Sequence, residues 1–396
     1  MKAIPLFILL SLYLLPTYSQ TAPSHLKYFG YALVDALYDD PLDASTTTNY
    51  IAEVDSFSNV AQLAVYDYTD DINARVNLLN AHCVKPFLSI QSIFYYRIDG
   101  NAPSGNHLTL YSNFQARWNS FKATNLAVLN PSKIAALYVA DEPVWNGISF
   151  SDLNTVCQIL KNDFPNIPTM FVEAYPVLNS LVIPTSIDWI GFDRYGIFDP
   201  ATSSVFLNDL QTLKSKRSTI NQKIFLIIDD QWLPYYGAAG YSADTMQYVV
   251  QNYYTLATSD TSVVGLIGYL WPGGFDDPGQ LGVRDMPQSV INKNIEIGKM
   301  IKANNSLCAI TTSIETINPA KDFFNIYPNP SSEFLTIEMT GIKMKEKFQI
   351  YNSIGVLIKE VDMSQASQIN ISNLPNGVYF IRLKKYPQQT QRFIKQ

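Results

Sequence analysis

Eight short runs rich in Val, Ile, Phe and Tyr alternate with longer stretches of helical spacing along the first three hundred residues. This alternation limits the possible folds most, because strands that alternate with helices form parallel sheets through right-handed crossovers. Eight such units in ~280 residues is the size of a closed (β/α)₈ barrel. An open doubly wound sheet is the alternative, but no Gly-rich phosphate loop follows the first run. The predicted strands cover residues 28–34, 60–68, 85–94, 134–142, 168–175, 188–196, 223–232 and 263–271.

The N-terminus has the three parts of a secretory signal peptide. Lys2 supplies a positive charge, residues 4–15 are apolar, and Thr17 and Ser19 are small residues at the −3 and −1 positions of a cut after Ser19. No other segment approaches the ~20 apolar residues that a membrane span needs. We therefore predict a signal peptide over residues 1–19, an exported chain and no stable membrane span.

Charge and composition exclude several classes of function. The 28 basic and 34 acidic residues give a net charge of −6, with no dense basic stripe, so nucleic acid is not an expected partner. Aromatic residues make up 13% of the chain, with Tyr the most frequent, which suits neutral polar ligands such as sugars.

Cysteine and histidine are too few and too scattered for a disulfide framework or a metal site. The three cysteines are Cys83, Cys157 and Cys308, with no C-x-x-C, and the three histidines share no metal-ligand spacing. We expect Cys83 and Cys157 to be small buried residues within helices. The sequence predicts no metal and no cofactor.

The pattern changes after residue 304. Residues 305–322 are polar and rich in Ser and Thr, which is typical of a linker. Residues 323–396 consist of short alternating strands separated by Pro-Asn and Gly turns, and predict a small immunoglobulin-like β-sandwich. Residues 322–396 hold nine basic and six acidic residues, a net charge of +3, so the rest of the chain carries −9.

This last segment closely resembles the C-terminal sorting domain of type IX secretion in Bacteroidetes-type bacteria. The matching residues are Tyr327-Pro328-Asn329-Pro330, Tyr351-Asn352 with Gly355, Leu374-Pro375-Asn376-Gly377-Val378-Tyr379 and Phe393-Ile394-Lys395. The resemblance implies that the type IX secretion machinery is a partner. It also implies export through the periplasm and across the outer membrane, so that the protein is secreted or held at the cell surface. Such a domain is a sorting signal that is usually removed after export across the outer membrane.

Acidic residues recur at the carboxyl ends of four consecutive predicted strands, where (β/α)₈ barrels have their active sites. The fourth strand ends on Asp141-Glu142. Because side chains alternate across a strand, Glu142 continues the inward face of Ala136, Tyr138 and Ala140, whereas Asp141 belongs to the outer face and reaches the cup only at its rim. We predict that Glu142 is a catalytic acid.

The neighbouring strands supply the rest of the predicted cup. Carboxylates for acid and base steps, with aromatic rings to stack on sugars, are what glycoside cleavage requires. The candidates for a second catalytic carboxylate are Asp230, Asp229 and Asp141. The predicted substrate-binding residues are Asp193, Tyr195, Glu173, Gln91, Trp271, Tyr269 and Trp232.

Residues 25–304 resemble the glycoside hydrolases built on a (β/α)₈ barrel. Many of these families keep the acid/base Glu at the end of the fourth strand, which matches Glu142. The commonest clan has Asn before that Glu and a nucleophilic Glu on the seventh strand, and this sequence departs at both places, with Asp141 and Asp229-Asp230. The resemblance implies a secreted glycosidase that acts on a carbohydrate.

Two mechanisms and two other functions stay open. Asp229 or Asp230 is the second carboxylate, or Asp141 and Glu142 act together as in the substrate-assisted β-N-acetylhexosaminidases, where the Asp steadies an acetamido group. The alternative function is a non-catalytic surface protein that binds glycans on a barrel scaffold. A metal-dependent hydrolase is disfavoured because the barrel has no His pair at ligand spacing.

Overall fold

The computed structural model describes residues 21–305, 324–339, 347–352, 356–362, 368–384 and 390–396. The predicted signal peptide and residues 306–322 of the predicted linker lie outside the described residues. The chain divides into two compact units, Met1–Ala309 and Ile310–Gln396.

The first unit is a closed barrel of eight parallel strands, as predicted. In chain order its strands are β1 (Tyr28–Asp35), β2 (Val60–Ala64), β3 (Lys85–Ser89), β4 (Tyr95–Ile98), β5 (His107–Leu110), β6 (Ala136–Asp141), β7 (Thr169–Ala174), β8 (Trp189–Asp193), β9 (Lys223–Asp229) and β10 (Val263–Tyr269). The strand order around the ring is β1-β10-β9-β8-β7-β6-β3-β2. Strands β4 and β5 form a separate antiparallel hairpin between β3 and β6, which the sequence pattern did not show.

Helices of very unequal length connect the barrel strands. They are α1 (Ile51–Val54), α2 (Asn73–Ala81), α3 (Gln91–Phe94), α4 (Phe114–Asn125), α5 (Phe150–Asp163), α6 (Ser204–Lys216), α7 (Pro234–Ala238), α8 (Met246–Ser259) and α9 (Gln288–Lys302). The alternation is incomplete at two places. Only the four-residue α1 lies between β1 and β2, and only a 3₁₀ turn at Tyr175–Val177 lies between β7 and β8.

Alternation along the strands separates two apolar layers. On β8, Ile190 and Phe192 face outward, and the Phe192 ring lies 5.2 Å from the Phe206 ring of α6. The inward-facing Trp189 lies in the barrel interior, 4.8 Å from Tyr28 and 4.9 Å from Phe225 between ring centroids. These rings fill the amino-terminal end of the barrel, which leaves room for a cavity at the other end.

The second unit is a sandwich of two antiparallel sheets, as predicted. Its strands are β11 (Phe324–Tyr327), β12 (Phe334–Met339), β13 (Lys347–Asn352), β14 (Leu357–Asp362), β15 (Gln368–Asn370), β16 (Gly377–Leu383) and β17 (Thr390–Lys395). The sheet orders are β11-β12-β15 and β14-β13-β16-β17. Leu335 and Ile337 of the first sheet share one buried core with Phe348, Ile381 and Phe393 of the second.

The expectation for Cys83 is wrong. Cys83 is disulfide-bonded and half-buried, and it lies in the turn between α2 and β3 with a left-handed φ of 61°. Cys157 is free and buried on α5, as expected, whereas Cys308 lies outside the described residues. Within the described part of the chain, every helix is too short or too polar to cross a membrane.

Candidate active site

A cup with a volume of about 650 Å³ opens at the carboxyl ends of the barrel strands. This volume lies within the range of small-molecule sites, roughly 300–1,000 Å³. Its acidic lining residues are Asp141, Glu142, Asp193 and Asp276, and its aromatic ones include Tyr66, Tyr138, Tyr195, Tyr235, Tyr269 and Phe275. The cup therefore combines carboxylates with aromatic rings.

A bulge in β6 brings Asp141 into the cup. Tyr138 lies opposite Met170 on β7 and Ala140 lies opposite Phe171, so Val139 is skipped in the register. A bulge of this kind reverses the alternation of side chains beyond it. Ala140 consequently packs in the outer core, whereas Asp141 lines the cup. The simple parity that assigned Ala140 to the inner face and Asp141 to the outer face is wrong for both residues.

Glu142 reaches the same cup through an unusual backbone conformation. It follows the last residue of β6 and has a left-handed φ of 46°. Its N–H donates to the carbonyl of Val172 (2.8 Å), and its own carbonyl accepts from the N–H of Asn146 (2.8 Å). For a residue with a Cβ this conformation costs roughly 1–2 kcal/mol, and such strain is concentrated at functional sites. Two consecutive acids thus share one cavity.

Glu173 anchors the loop that follows Glu142. Its buried carboxylate accepts from the backbone N–H of Val144 (2.9 Å), of Trp145 (3.2 Å) and of Ala174 (3.2 Å). Burial raises the pKa of Glu173 to about 8, and the three N–H donors oppose this shift. Glu173 is not among the residues that line the cup, although the sequence placed it with the substrate-binding residues. Its contacts are those of a residue that positions Glu142.

Asp141 is held by two neighbours inside the cup. Its backbone N–H donates to the Oε1 of Gln91 (2.7 Å), and its carboxylate accepts from the hydroxyl of Tyr138. The surrounding protein raises the pKa of Asp141 by desolvation and, to a smaller extent, through the charge of Asp276, while the Tyr138 hydroxyl lowers it. Its side chain nevertheless stays exposed to the cavity.

Glu142 and Asp193 form a pair of neighbouring carboxyl groups. Burial is the largest cause that raises the pKa of Glu142, followed by the charges of Asp193 and Asp141. Burial also raises the pKa of Asp193, followed by the charge of Asp141. The side-chain hydrogen bond between the two raises the pKa of Glu142 and lowers that of Asp193.

The two acids at the end of β9 lie away from the cup. Asp229 accepts from the backbone N–H of Gly196 (2.7 Å) and the hydroxyl of Tyr236 (2.8 Å), and Asp230 accepts from the Nδ2 of Asn294 on α9 (3.2 Å). Both carboxyl groups are fully buried, and burial raises their pKa values to about 6 and about 8, respectively. Neither residue lines the cup, although the sequence made both of them candidates for the second carboxylate.

The predicted aromatic residues separate into two groups. Tyr195 and Tyr269 line the cup with stacked rings 5.5 Å apart, and Gln91 and Asp193 line it with them. Trp271 and Trp232 lie outside the lining. The buried Trp271 indole donates to Glu53 (2.6 Å), and the Trp232 indole donates to the carbonyl of Tyr241 (2.9 Å). Both side chains therefore stabilise segments around the cup.

Sequence reasoning missed Asp276, which lies in the loop after β10. Its carboxylate accepts from the hydroxyl of Tyr269 (2.6 Å) and the Nε2 of Gln280 (3.2 Å). The exposed rings of Tyr66, Tyr235 and Phe275 at the cup were missed as well. The only signal for Asp276 is the acidic pair Asp276-Asp277, which lies several residues after the last strand. In the described parts of the chain no group of three or more His, Cys, Asp or Glu is arranged to hold a metal ion.

Comparison with solved structures finds matches of low similarity. They include a thermostable mutant of the xylanase Xyn10A from Cellvibrio japonicus (TM-score 0.43, 11% identity, 69% of this chain and 97% of that chain). A GH113 β-1,4-mannanase gives a TM-score of 0.44 at 10% identity, over 70% of this chain and 99% of that one. A GH10 endoxylanase from a sugarcane soil metagenome gives 0.45 at 11% identity, over 69% and 97%. At these values the likeness carries no argument about the reaction, which has to come from the cup itself.

No curated protein matches the chain in sequence. The second unit, by contrast, has a clear relative. Residues 325–396 match the family model for the "Secretion system C-terminal sorting domain". This match confirms the sorting domain that the sequence motifs predicted, and it indicates handling by the type IX secretion machinery and either secretion or attachment at the cell surface. The last 72 residues of the chain, 325–396, are a secretion sorting domain.

Proposed function

We propose that the barrel is a glycoside hydrolase with Glu142 as its proton donor and Asp141 as its second carboxylate. One observation carries the proposal, namely that Asp141 and Glu142 share an aromatic-walled cup with tyrosine rings. We further propose that the sorting domain directs this enzyme through the periplasm and across the outer membrane.

Glu142 has the properties of a general acid. A general acid must hold a proton at neutral pH and release it as the glycosidic bond breaks. Desolvation and three neighbouring carboxylates raise the pKa of Glu142, so that it stays protonated, and Asp193 accepts its hydrogen bond. The anchoring of the following loop by Glu173 keeps the carboxyl group in place.

Asp141 is the second carboxylate in this proposal. Among the three candidates from the sequence, it alone lines the cup, whereas Asp229 and Asp230 are buried elsewhere. Gln91 fixes its backbone and Tyr138 orients its carboxylate. A separation of about 5–5.5 Å between the two working carboxyl groups suits a nucleophile and retention, whereas roughly 6.5–9.5 Å admits a water molecule and gives inversion.

The aromatic residues complete a sugar-binding surface. Tyr195 and Tyr269 stack inside the cup, and the rings of Tyr66, Tyr235 and Phe275 are exposed at its lining. Apolar faces of sugar rings pack on aromatic rings, while hydroxyl groups bind carboxylates and amides. The same surface would serve a protein that binds glycans without cleaving them, so the decisive difference is the chemistry of Glu142.

The test compares Glu142→Gln with Asp230→Asn in the full chain, measured against a panel of chromogenic glycosides and polysaccharides. Both changes replace an acid by its amide, but only Glu142 lines the cup. We expect Glu142→Gln to lower the hydrolysis rate by about 10²–10⁴, the usual contribution of a general acid. Asp230→Asn should leave the rate near that of the wild type.

Two results would contradict this proposal. One is a Glu142→Gln variant that cleaves a substrate of the wild-type protein at the wild-type rate. The other is a panel in which the wild-type protein binds a glycan but cleaves none, which would favour the non-catalytic glycan-binding protein.

A further inference from the structure

All the charged groups that line the cup are acidic. Asp141, Glu142, Asp193 and Asp276 contribute four carboxyl groups, and none of the described lining residues is Lys, Arg or His. A pocket with several carboxylates and no protein cation repels anionic ligands and attracts cationic ones. Outside the sorting segment the chain carries a net charge of −9, which acts in the same direction.

Two arginines of the barrel unit, Arg194 and Arg284, are engaged outside the cup. Arg194 pairs with Asp209 and lies 4.0 Å from the centroid of the Tyr175 ring. Arg284 pairs with Asp40 (3.1 Å) and with Glu53 (3.1 Å). Because these side chains have their own acidic partners outside the lining, they do not neutralise the carboxylates of the cup.

Asp193 has a buried, unsatisfied acceptor at the wall of the cup. Its side chain is 7% exposed and lines the cavity, yet its Oδ1 finds no hydrogen-bond partner among the described residues. An unpaired buried carboxylate oxygen is costly, and the cost disappears when a ligand donates to it. The best donor for this position is a cation, because no basic side chain is present to balance the charge.

Resting on the proposed function, we propose that the cup binds a sugar unit with a protonated amine, that is, a de-N-acetylated hexosamine, with Asp193 and Asp276 as the groups that recognise the ammonium. An ammonium group offers three donors and no acceptor, so it matches a cup whose charged groups accept hydrogen bonds. An N-acetyl group is neutral and a uronic acid or sulfated sugar is anionic, and neither supplies this charge.

Amine binding also fits the proposed chemistry. A side-chain hydrogen bond links Glu142 and Asp193. An ammonium that donates to the Oδ1 of Asp193 makes this carboxylate a weaker acceptor for Glu142, which leaves the Glu142 proton free for the glycosidic oxygen. The charge of the ammonium favours the ionised form of Asp193, and the charge of Asp193 in turn favours the protonated form of Glu142.

The experiment measures binding rather than cleavage, with the wild-type full chain and isothermal titration calorimetry. The probes are two matched sets, glucosamine, N-acetylglucosamine and glucose, and the corresponding galactose series, at about pH 7.5. At this pH Asp193, whose pKa burial raises to about 7, is largely ionised, and a large share of an amine of this kind is still protonated. We expect each amino sugar to bind at least about tenfold more tightly than its partners, a difference of about 1.4 kcal/mol. This preference should shrink as salt is added.

Three variants locate the preference. Asp193→Asn should abolish it and Asp276→Asn should reduce it. Asp277→Asn is the matched control, since Asp277 lies in the same loop but outside the lining, where it accepts from the N–H of Gly279 (2.7 Å). We expect that control to keep the full preference.

The inference is overturned if the neutral sugars bind as tightly as the amines, if Asp193→Asn keeps the preference, or if no amino sugar binds at tens of millimolar. Its failure is separate from that of the proposed function. Glu142-dependent cleavage of neutral glycans alone would refute the amine preference and keep the hydrolase. Amine binding without cleavage of any glycan would refute the hydrolase and keep the amine preference.

Discussion

The strained backbone at Glu142 allows a direct test of the site geometry. Glu142→Ala and Glu142→Gly both remove the acid, and the two variants differ by one Cβ atom. A left-handed φ such as 46° costs a residue with a Cβ roughly 1–2 kcal/mol, and glycine avoids this cost. Glycine in turn loses roughly 0.5–1 kcal/mol more conformational freedom on folding. The difference predicts that Glu142→Gly is more stable than Glu142→Ala by about 0.5–1 kcal/mol.

Urea unfolding followed by tryptophan fluorescence measures this difference in the full chain. All five tryptophans lie in the barrel unit, so the signal reports on that unit and not on the sorting domain. Ala116→Gly is a control with the opposite expected sign, because Ala116 is an exposed residue within α4. Glycine there should cost about 1 kcal/mol.

If Glu142→Gly is no more stable than Glu142→Ala, the residue is not held in a left-handed conformation. The reasoning that puts Asp141 and Glu142 in one cup would then be wrong, because an extended Glu142 after an inward Asp141 would point away from the cavity. A stable but inactive Glu142→Gly variant would show that the strain is maintained for the position of the acid.

Two further predictions concern buried acids. Glu173→Ala leaves three backbone N–H groups without their acceptor, so we expect a loss of about 1–3 kcal/mol in unfolding free energy. We also expect a lower kcat with little change in KM. Glu173→Gln keeps an acceptor oxygen and should retain more of the stability and more of the kcat. Equal kcat in the wild type and Glu173→Ala would exclude a positioning role. Burial raises the pKa of Asp230 from 3.8 to about 8, so wild-type stability should fall by about 1.4 kcal/mol per pH unit between these values, relative to Asp230→Asn. Parallel stability curves from about pH 4 to pH 8 would show that Asp230 is not buried as a neutral acid.

The architecture could be predicted from the sequence because it depends on many residues at once. Eight apolar runs define eight strands, and an error at one residue does not change their number or order. The ends of the strands were less certain. The second run was predicted over residues 60–68, but β2 ends at Ala64, and residues 65–68 lie outside the strand.

Individual side chains in the site depend on single backbone irregularities, which explains the errors there. The alternation of side chains along β9, the seventh predicted strand, could not show that Asp229 would accept hydrogen bonds from Gly196 and Tyr236. It also could not show that Asp230 would accept a hydrogen bond from Asn294. Those partners come from other segments of the chain, and their approach is a property of the packed structure. Asp276 was missed for a related reason, since a rule about strand ends does not extend to a loop several residues beyond β10.

The sequence question posed by two adjacent acids at a strand end has a geometric answer. In a regular strand, neighbouring side chains point to opposite faces, so Asp141 and Glu142 could not both reach the interior. The bulge at Val139 turns Asp141 inward, and the left-handed backbone at Glu142 ends the extended conformation before the next side chain turns outward. Each irregularity costs stability, and either one alone would leave one acid outside the cup. Their occurrence at consecutive positions, with Glu173 holding the loop beyond, is therefore best explained by a requirement for both carboxyl groups in the same cavity.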